Sequence, residues 1–164
     1  MSVRVRFATP DEWERVRDLR LRALADAPDA FSATLEGERE ATEAGWRAMV
    51  TGREGATNAM AIAEIDGDWV GMAVGMRRGD EPEAHLFAMW VEPARRRAGA
   101  GKDLVQAVLG WAGSAGATSV VLGVTDTNDG AVAFYQHLGF VDTGERHPLR
   151  EGSELVVRGL RLAL

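Results

Sequence analysis

The residues best suited to chemistry gather between Met89 and Lys102, which reads Met-Trp-Val-Glu-Pro-Ala-Arg-Arg-Arg-Ala-Gly-Ala-Gly-Lys. An apolar run ends at Val91, Pro93 stops it, three arginines follow, and Gly99 and Gly101 open an apolar-periodic helix. Glycine lets a backbone approach a ligand closely, and the first turn of a helix offers unpaired N–H groups at the positive end of its dipole. The chemistry expected of this turn is anion binding, with a phosphate or pyrophosphate as guest. Arg95, Arg96, Arg97 and Lys102 are four of the 19 basic residues of a chain whose formal net charge is -6. They make a positive spot on an acidic protein; a basic run that merely faces solvent is the competing reading.

Two familiar phosphate loops do not fit. A P-loop requires glycine five positions before the Gly-Lys pair and a hydroxyl after it, whereas this chain has Arg96 and Asp103 there. The dinucleotide fingerprint requires a third glycine, and Leu104 stands in its place. A second cluster lies downstream. Asn128 is followed by Tyr135 in the run Ala-Phe-Tyr-Gln-His-Leu-Gly-Phe, and Tyr135 is the single tyrosine of the chain.

The elements that position these residues follow from periodicity. Val3, Val5 and Phe7 alternate with arginines as in a half-buried strand. Thr9-Pro10-Asp11-Glu12 opens a helix that runs to about Asp26 on an apolar stripe of Trp13, Val16, Leu19 or Arg20, Ala23 and Leu24. Residues 27–36 read as an irregular link that carries Phe31, and Glu38 to Val50 as a second helix with Trp46, Met49 and Val50 inward. Residues 59–65 and 69–76 form strands joined by Asp66-Gly67-Asp68, a hairpin signal. His85 to Val91 reads as a central strand covered on both faces, Gly101 to Ser114 as a helix, and Ser119 to Val124 as a strand parallel to that central strand through a right-handed crossover. A short helix capped by Asn128 or Asp129 stops at Gly139, and strands at 140–146 and 154–162 close the chain.

Composition bounds the function. The 164 residues, 46% hydrophobic and 27% charged, fit one domain spanning 1–164. The acidic balance argues against a general nucleic-acid binder. Without cysteine there is no disulfide, thiolate or cysteine-ligated zinc, and His85, His137 and His147 lack metal-ligand spacing, so no metal is expected. The start Met-Ser-Val-Arg-Val-Arg is unlike a signal peptide, and no run of about 18 apolar residues occurs. A cytoplasmic protein with no membrane partner is expected. Closed dimers dominate soluble oligomers, so a homodimer is the default.

Arg96-Arg97-Ala98-Gly99-Ala100-Gly101, together with the Asn128 and Tyr135 run, resembles the two cofactor motifs of the GCN5-related N-acetyltransferase superfamily. The resemblance implies an α+β fold of three layers: a mixed, mostly antiparallel sheet of about seven strands with a parallel central pair, flanked by about four helices. It implies acetyl transfer from acetyl-coenzyme A to the primary amine of a small molecule or peptide, by direct attack on the thioester. The backbone of Arg96, Arg97, Ala98, Gly99, Ala100, Gly101 and Lys102 would hold the pyrophosphate. The main chain of Met89, Trp90 and Val91 would pair with the pantetheine arm, Asn128 would hydrogen-bond it, and Tyr135 would protonate the departing thiolate. One departure stands out, because many relatives carry glycine where this chain has Arg97. His85, Glu83 and Asp126 are candidates for the base, none assigned. The acceptor is expected between the segments 27–40 and 143–153. There Asp29, Glu36, Glu38, Glu40 and Glu43 either favour a cationic guest or form a solvated helix face. The alternative function is a module of the same fold that holds acetyl-coenzyme A or coenzyme A without turnover.

Overall fold

The computed structural model describes residues 2–164. Its strands are β1 (Arg4–Phe7), β2 (Ala56–Ile65), β3 (Asp68–Arg78), β4 (Glu83–Val91), β5 (Ser119–Thr125), β6 (Val141–Pro148) and β7 (Val156–Ala163). They form one sheet in the order β1-β2-β3-β4-β5-β7-β6. Every neighbouring pair is antiparallel except β4 and β5, which are parallel as the crossover requires. The helices are α1 (Trp13–Asp26), α2 (Leu35–Arg39), α3 (Glu43–Thr51), α4 (Ala100–Ser114) and α5 (Asp129–His137). Among the described residues no helix is long and apolar enough to cross a membrane.

The expected helix from Glu38 to Val50 is interrupted. Thr34 caps α2 by accepting from the Gly37 N–H at 3.1 Å, and Thr42 caps α3 by accepting from the Gly45 N–H at 3.1 Å. A threonine hydroxyl that satisfies an orphan N–H starts a new helix more readily than it continues an old one. The inward set holds: Trp46 and Val50 are buried and Met49 packs against them.

Two cores sandwich the sheet. On one face the stripe of α4, with Leu104, Val105, Val108 and Ala112, packs on Ala61, Ala63, Ala73, Ala84 and Leu86. Small strand residues let α4 come close; a Cβ on Gly75 would lie 2.7 Å from the Trp111 ring. On the other face α1 and α3 set Val16, Leu19, Leu24, Trp46 and Val50 against Met60, Ile62, Met72 and Val74. Such apolar burial is the main favourable term in folding, and here it locks the sheet between two helical layers.

The two halves of the sheet part company at its centre. β4 and β5 pair at Glu83, Ala84 and His85, opposite Ser119, Val120 and Val121. Beyond them β4 continues on β3 as far as Val91, and β5 continues on β7 as far as Thr125. The cause is visible in β4. Its register with β3 shifts between Met72 and Val74, and Ala88 adopts φ 54. A bulge of this kind bends its strand away from its neighbour. β4 is accordingly not covered throughout: Phe87 is 38% exposed because it borders the opening.

Candidate active site

The divergence of β4 from β5 opens a cleft of about 970 Å³ that reaches both faces of the sheet. Leu86 to Met89 line one side, Val121 to Thr125 the other, and Asn128, Ala131 and Tyr135 the α5 end. Past His85 and Val121 the facing edges have no ladder partner among the described residues. An unpaired strand edge inside a cleft is a template for an extended ligand bearing amide groups.

At the end of β4 the chain turns through Pro93–Arg95 into α4. Gly99 caps α4 with φ 89 and ψ 0, a left-handed conformation that glycine adopts without strain. The first helical bond runs from the Asp103 N–H to the Gly99 carbonyl at 3.1 Å. The N–H groups of Gly99, Ala100, Gly101 and Lys102 therefore have no acceptor among the described residues. Ala100 is buried and fixes the helix start in the core, while Gly101 lies between Met89 and Phe134; a Cβ there would meet the Met89 methyl at 3.2 Å. Four free donors on one turn at a dipole's positive end form a site for a phosphate group.

The arginines divide their labour. Arg96 Nε donates to the Val91 carbonyl at 2.9 Å, and its guanidinium lies 3.5 Å from Asp26, which ties the turn to β4 and to the end of α1. Arg97 and Lys102 are exposed and have no ion pair among the described residues, so their charge is available to an anion. Arg97 has φ 70. Left-handed backbone costs a non-glycine residue about 1–2 kcal/mol, which explains why glycine suits this position in the motif and what its replacement costs here. Of the three strand residues, Met89 lines the cleft. Trp90 and Val91 pair with Met72 and Gly71 on the β3 side of the strand, and the Trp90 indole donates to Asp26 at 2.9 Å.

On α5, Asn128 Oδ1 accepts from the Ala131 N–H at 3.1 Å, so one end of its amide caps the helix. Its amide nitrogen has no partner among the described residues and remains a donor at the cleft. Tyr135 is 7% exposed, wedged edge-on between Phe134 and Phe140 at 5.2 and 5.7 Å. Burial pushes its phenol up from its ordinary value, which keeps it protonated. The hydroxyl has no hydrogen-bond partner among the described residues, yet it is not sealed from the cleft. A protonated, unengaged hydroxyl on the wall of a binding slot is placed to donate to a ligand.

The opposite end of the cleft is built from α1, the link after it, and the β6–β7 hairpin. Phe31 and Ser32 line it, facing Thr143, Glu145 and His147. Sequence reasoning missed the device that holds the link. Arg150 donates to the carbonyls of Pro28, Phe31 and Ser32 at 2.9, 2.8 and 3.3 Å, and Thr125 Oγ1 donates to the Asp29 carbonyl at 2.6 Å. Nothing local in the sequence marks Arg150 for this task. Arg20 also lines the cleft, and its signal was present, since it is a charged residue on the apolar stripe of α1. None of Asp29, Glu36, Glu38, Glu40 and Glu43 lines it. Among the candidate bases, Asp126 is away from the lining and paired with Arg158. Glu83 lines it but lies 3.7 Å from Arg161, and His85 lines it with no side-chain partner among the described residues.

Comparison with known proteins agrees with this architecture. A sequence model of the acetyltransferase (GNAT) family matches residues 13–140, and the chain belongs to that family. Acetyl-coenzyme A is the family's co-substrate. N-acetyltransferase 8 of Homo sapiens is 36% identical over 89 residues, which cover 51% of this chain and 39% of that protein. Mycothiol acetyltransferase of Thermobispora bispora is 30% identical over 145 residues, covering 85% of this chain and 46% of that protein. The chain thus spans about half or less of the length of these curated relatives. An acetyltransferase of the GNAT family from Streptococcus pneumoniae has the same fold, with a TM-score of 0.78 at 20% identity over 99% of this chain and 100% of that one. So has yncA from Salmonella typhimurium, solved with its cofactor acetyl-CoA, with a TM-score of 0.75 at 19% identity over 100% of this chain and 95% of that one.

Proposed function

We propose that this chain transfers an acetyl group from acetyl-coenzyme A to a primary amine. The observation that carries the reading is the adjacency of the turn and the slot. Free N–H donors stand at the start of α4, where Gly101 abuts Met89 of the slot between β4 and β5, and Tyr135 stands on the wall of that slot. A pyrophosphate at the turn and a pantetheine arm along the free edge of β4 satisfy donors that otherwise lack partners. The Asn128 amide nitrogen supplies one more contact to the arm.

In the reaction the amine nitrogen forms a bond to the thioester carbonyl carbon and the carbon–sulfur bond breaks. The amine gives up a proton and the sulfur gains one. Tyr135 supplies the proton to sulfur and recovers it from solvent. An alkyl ammonium has an ordinary pKa of about 10.4 and must be deprotonated before it attacks. His85 is the candidate acceptor of that proton, because it lines the cleft with no side-chain partner among the described residues.

The test is release of coenzyme A thiol from acetyl-coenzyme A in the presence of a panel of amines. Amine-stimulated release with matching N-acetylated product is the expected result. Tight binding of acetyl-coenzyme A with no amine turned over would instead identify a binding module of the same fold.

A further inference from the structure

We propose that Arg20 recognises a carboxylate on the acceptor, so that the amine acetylated belongs to a zwitterion such as an amino acid. This rests on the transferase reading of the cleft and names its substrate class. Arg20 sits on the buried stripe of α1, between Leu19 and Ala23 in the core, and is 6% exposed. Its partner among the described residues is Glu38, at the long distance of 3.4 Å, and its guanidinium carbon lies 4.8 Å from the centre of the Phe31 ring. Nε and Nη1 are buried and have no hydrogen-bond partner among the described residues. An arginine does not shed its proton inside a protein, so this is a buried cation with two of its three nitrogens unsatisfied.

Stability alone does not favour such a residue, since an apolar side chain at a buried, poorly paired position is commonly neutral or better. What the position does offer is a cation in the wall of the cleft, on the face of the sheet opposite the phosphate turn. Glu83, which pairs with Arg161, and Glu145 line the same cleft, so it presents both signs of charge, as a zwitterion requires. Phe31 shields the guanidinium, and Arg150 holds the backbone of Phe31 in place. Arg20 itself lines the cleft, and a carboxylate bound there supplies the acceptors that Nε and Nη1 lack among the described residues.

The experiment measures binding to the coenzyme A-loaded protein by calorimetry, with the N-acetyl derivatives of the common amino acids and their carboxamides as probes. Product-side probes need no turnover. The best-bound acid should exceed its carboxamide by on the order of 100-fold, the scale of a charge-assisted bond. Arg20→Gln should shrink that ratio to about threefold or less. Glu38→Gln, which frees Arg20 from its ion partner and keeps the cation, should widen it. It decides the matter if Arg20→Gln fails to fold. No acid preference in any pair, a preference that survives Arg20→Gln, or a ratio indifferent to Glu38→Gln would overturn the assignment. Thiol release with the free amino acids and their amides separates the two levels. Equal turnover of acids and amides removes Arg20 from recognition and leaves the transferase standing.

Discussion

Replacing Tyr135 by Phe separates catalysis from structure more cleanly than any other change in this site. The ring keeps its contacts with Phe134 and Phe140, and the hydroxyl that is lost has no protein partner among the described residues. No hydrogen bond among the described residues is broken, so the unfolding free energy should change by no more than about 0.5 kcal/mol. The proton for the departing sulfur disappears, and loss of a positioned acid typically costs about 10²–10⁴-fold. A fall in kcat of at least ~100-fold, with the KM for acetyl-coenzyme A unchanged, is the expected outcome of steady-state thiol release. Because Tyr135 is the single tyrosine, tyrosinate absorbance reads its ionisation directly. Its phenol is raised by burial from an ordinary value of 10.0, so the folded protein stays protonated at pH 10.0 while the denatured chain is half ionised. The folded state then holds a proton that the unfolded chain releases. The resulting stability is present below pH 10.0 and lost as the pH rises further. Unaltered kcat in the variant, a stability loss of several kcal/mol, or tyrosinate appearing in the folded protein near pH 10.0 would each refute this reasoning.

Three further outcomes are expected. Gly99→Ala meets no atom within 4 Å but must hold φ 89. It should cost about 1–2 kcal/mol in denaturant unfolding. Glu12 accepts from Arg6 at 2.9 and 2.7 Å and from the Thr9 N–H at 2.9 Å, and these bonds, the Arg6 guanidinium foremost, hold its carboxyl at about 2. The stability this gives is present above the ordinary value of 4.5 and lost as the pH falls through about 2. Glu12→Gln should lose about 1–2 kcal/mol at neutral pH after allowance for solvent screening and flatten the acid limb of a stability–pH curve. Arg150→Ala releases the carbonyls of Pro28, Phe31 and Ser32. It should raise the KM of the amine while leaving the affinity for acetyl-coenzyme A within about twofold, because it touches the acceptor wall alone.

Local chemistry was legible in the sequence. Pro93, Gly99 and Gly101 punctuate the turn before α4, the stripe of α4 reports its buried face, and Asp66-Gly67 marks the β2–β3 hairpin. Features set by packing were not. The bulge at Ala88 leaves no mark, since alanine is an ordinary strand residue and its left-handed φ arises from the way β4 meets β3. The slot between β4 and β5 follows from that bulge and was therefore equally silent. Thr42 carried a capping signal that the apolar spacing of Trp46, Met49 and Val50 outweighed. Arg150 lies 119 residues from Phe31 in sequence, and a bond to a backbone carbonyl asks nothing of the residue that accepts it. Arg20 was readable as a charge on an apolar stripe, but its want of partners appears only once Phe31 and Glu38 are in place.

The most direct measurement is backbone amide NMR of the protein titrated with coenzyme A. The largest shifts should fall on Gly99, Ala100, Gly101 and Lys102, whose N–H groups lack acceptors among the described residues, with smaller ones along β4 and at Asn128. Amides of β1, which lies at the far edge of the sheet, should not move. Saturating coenzyme A that leaves those four amides unshifted, or that shifts another surface instead, would contradict the assignment of the turn before α4 as the phosphate site.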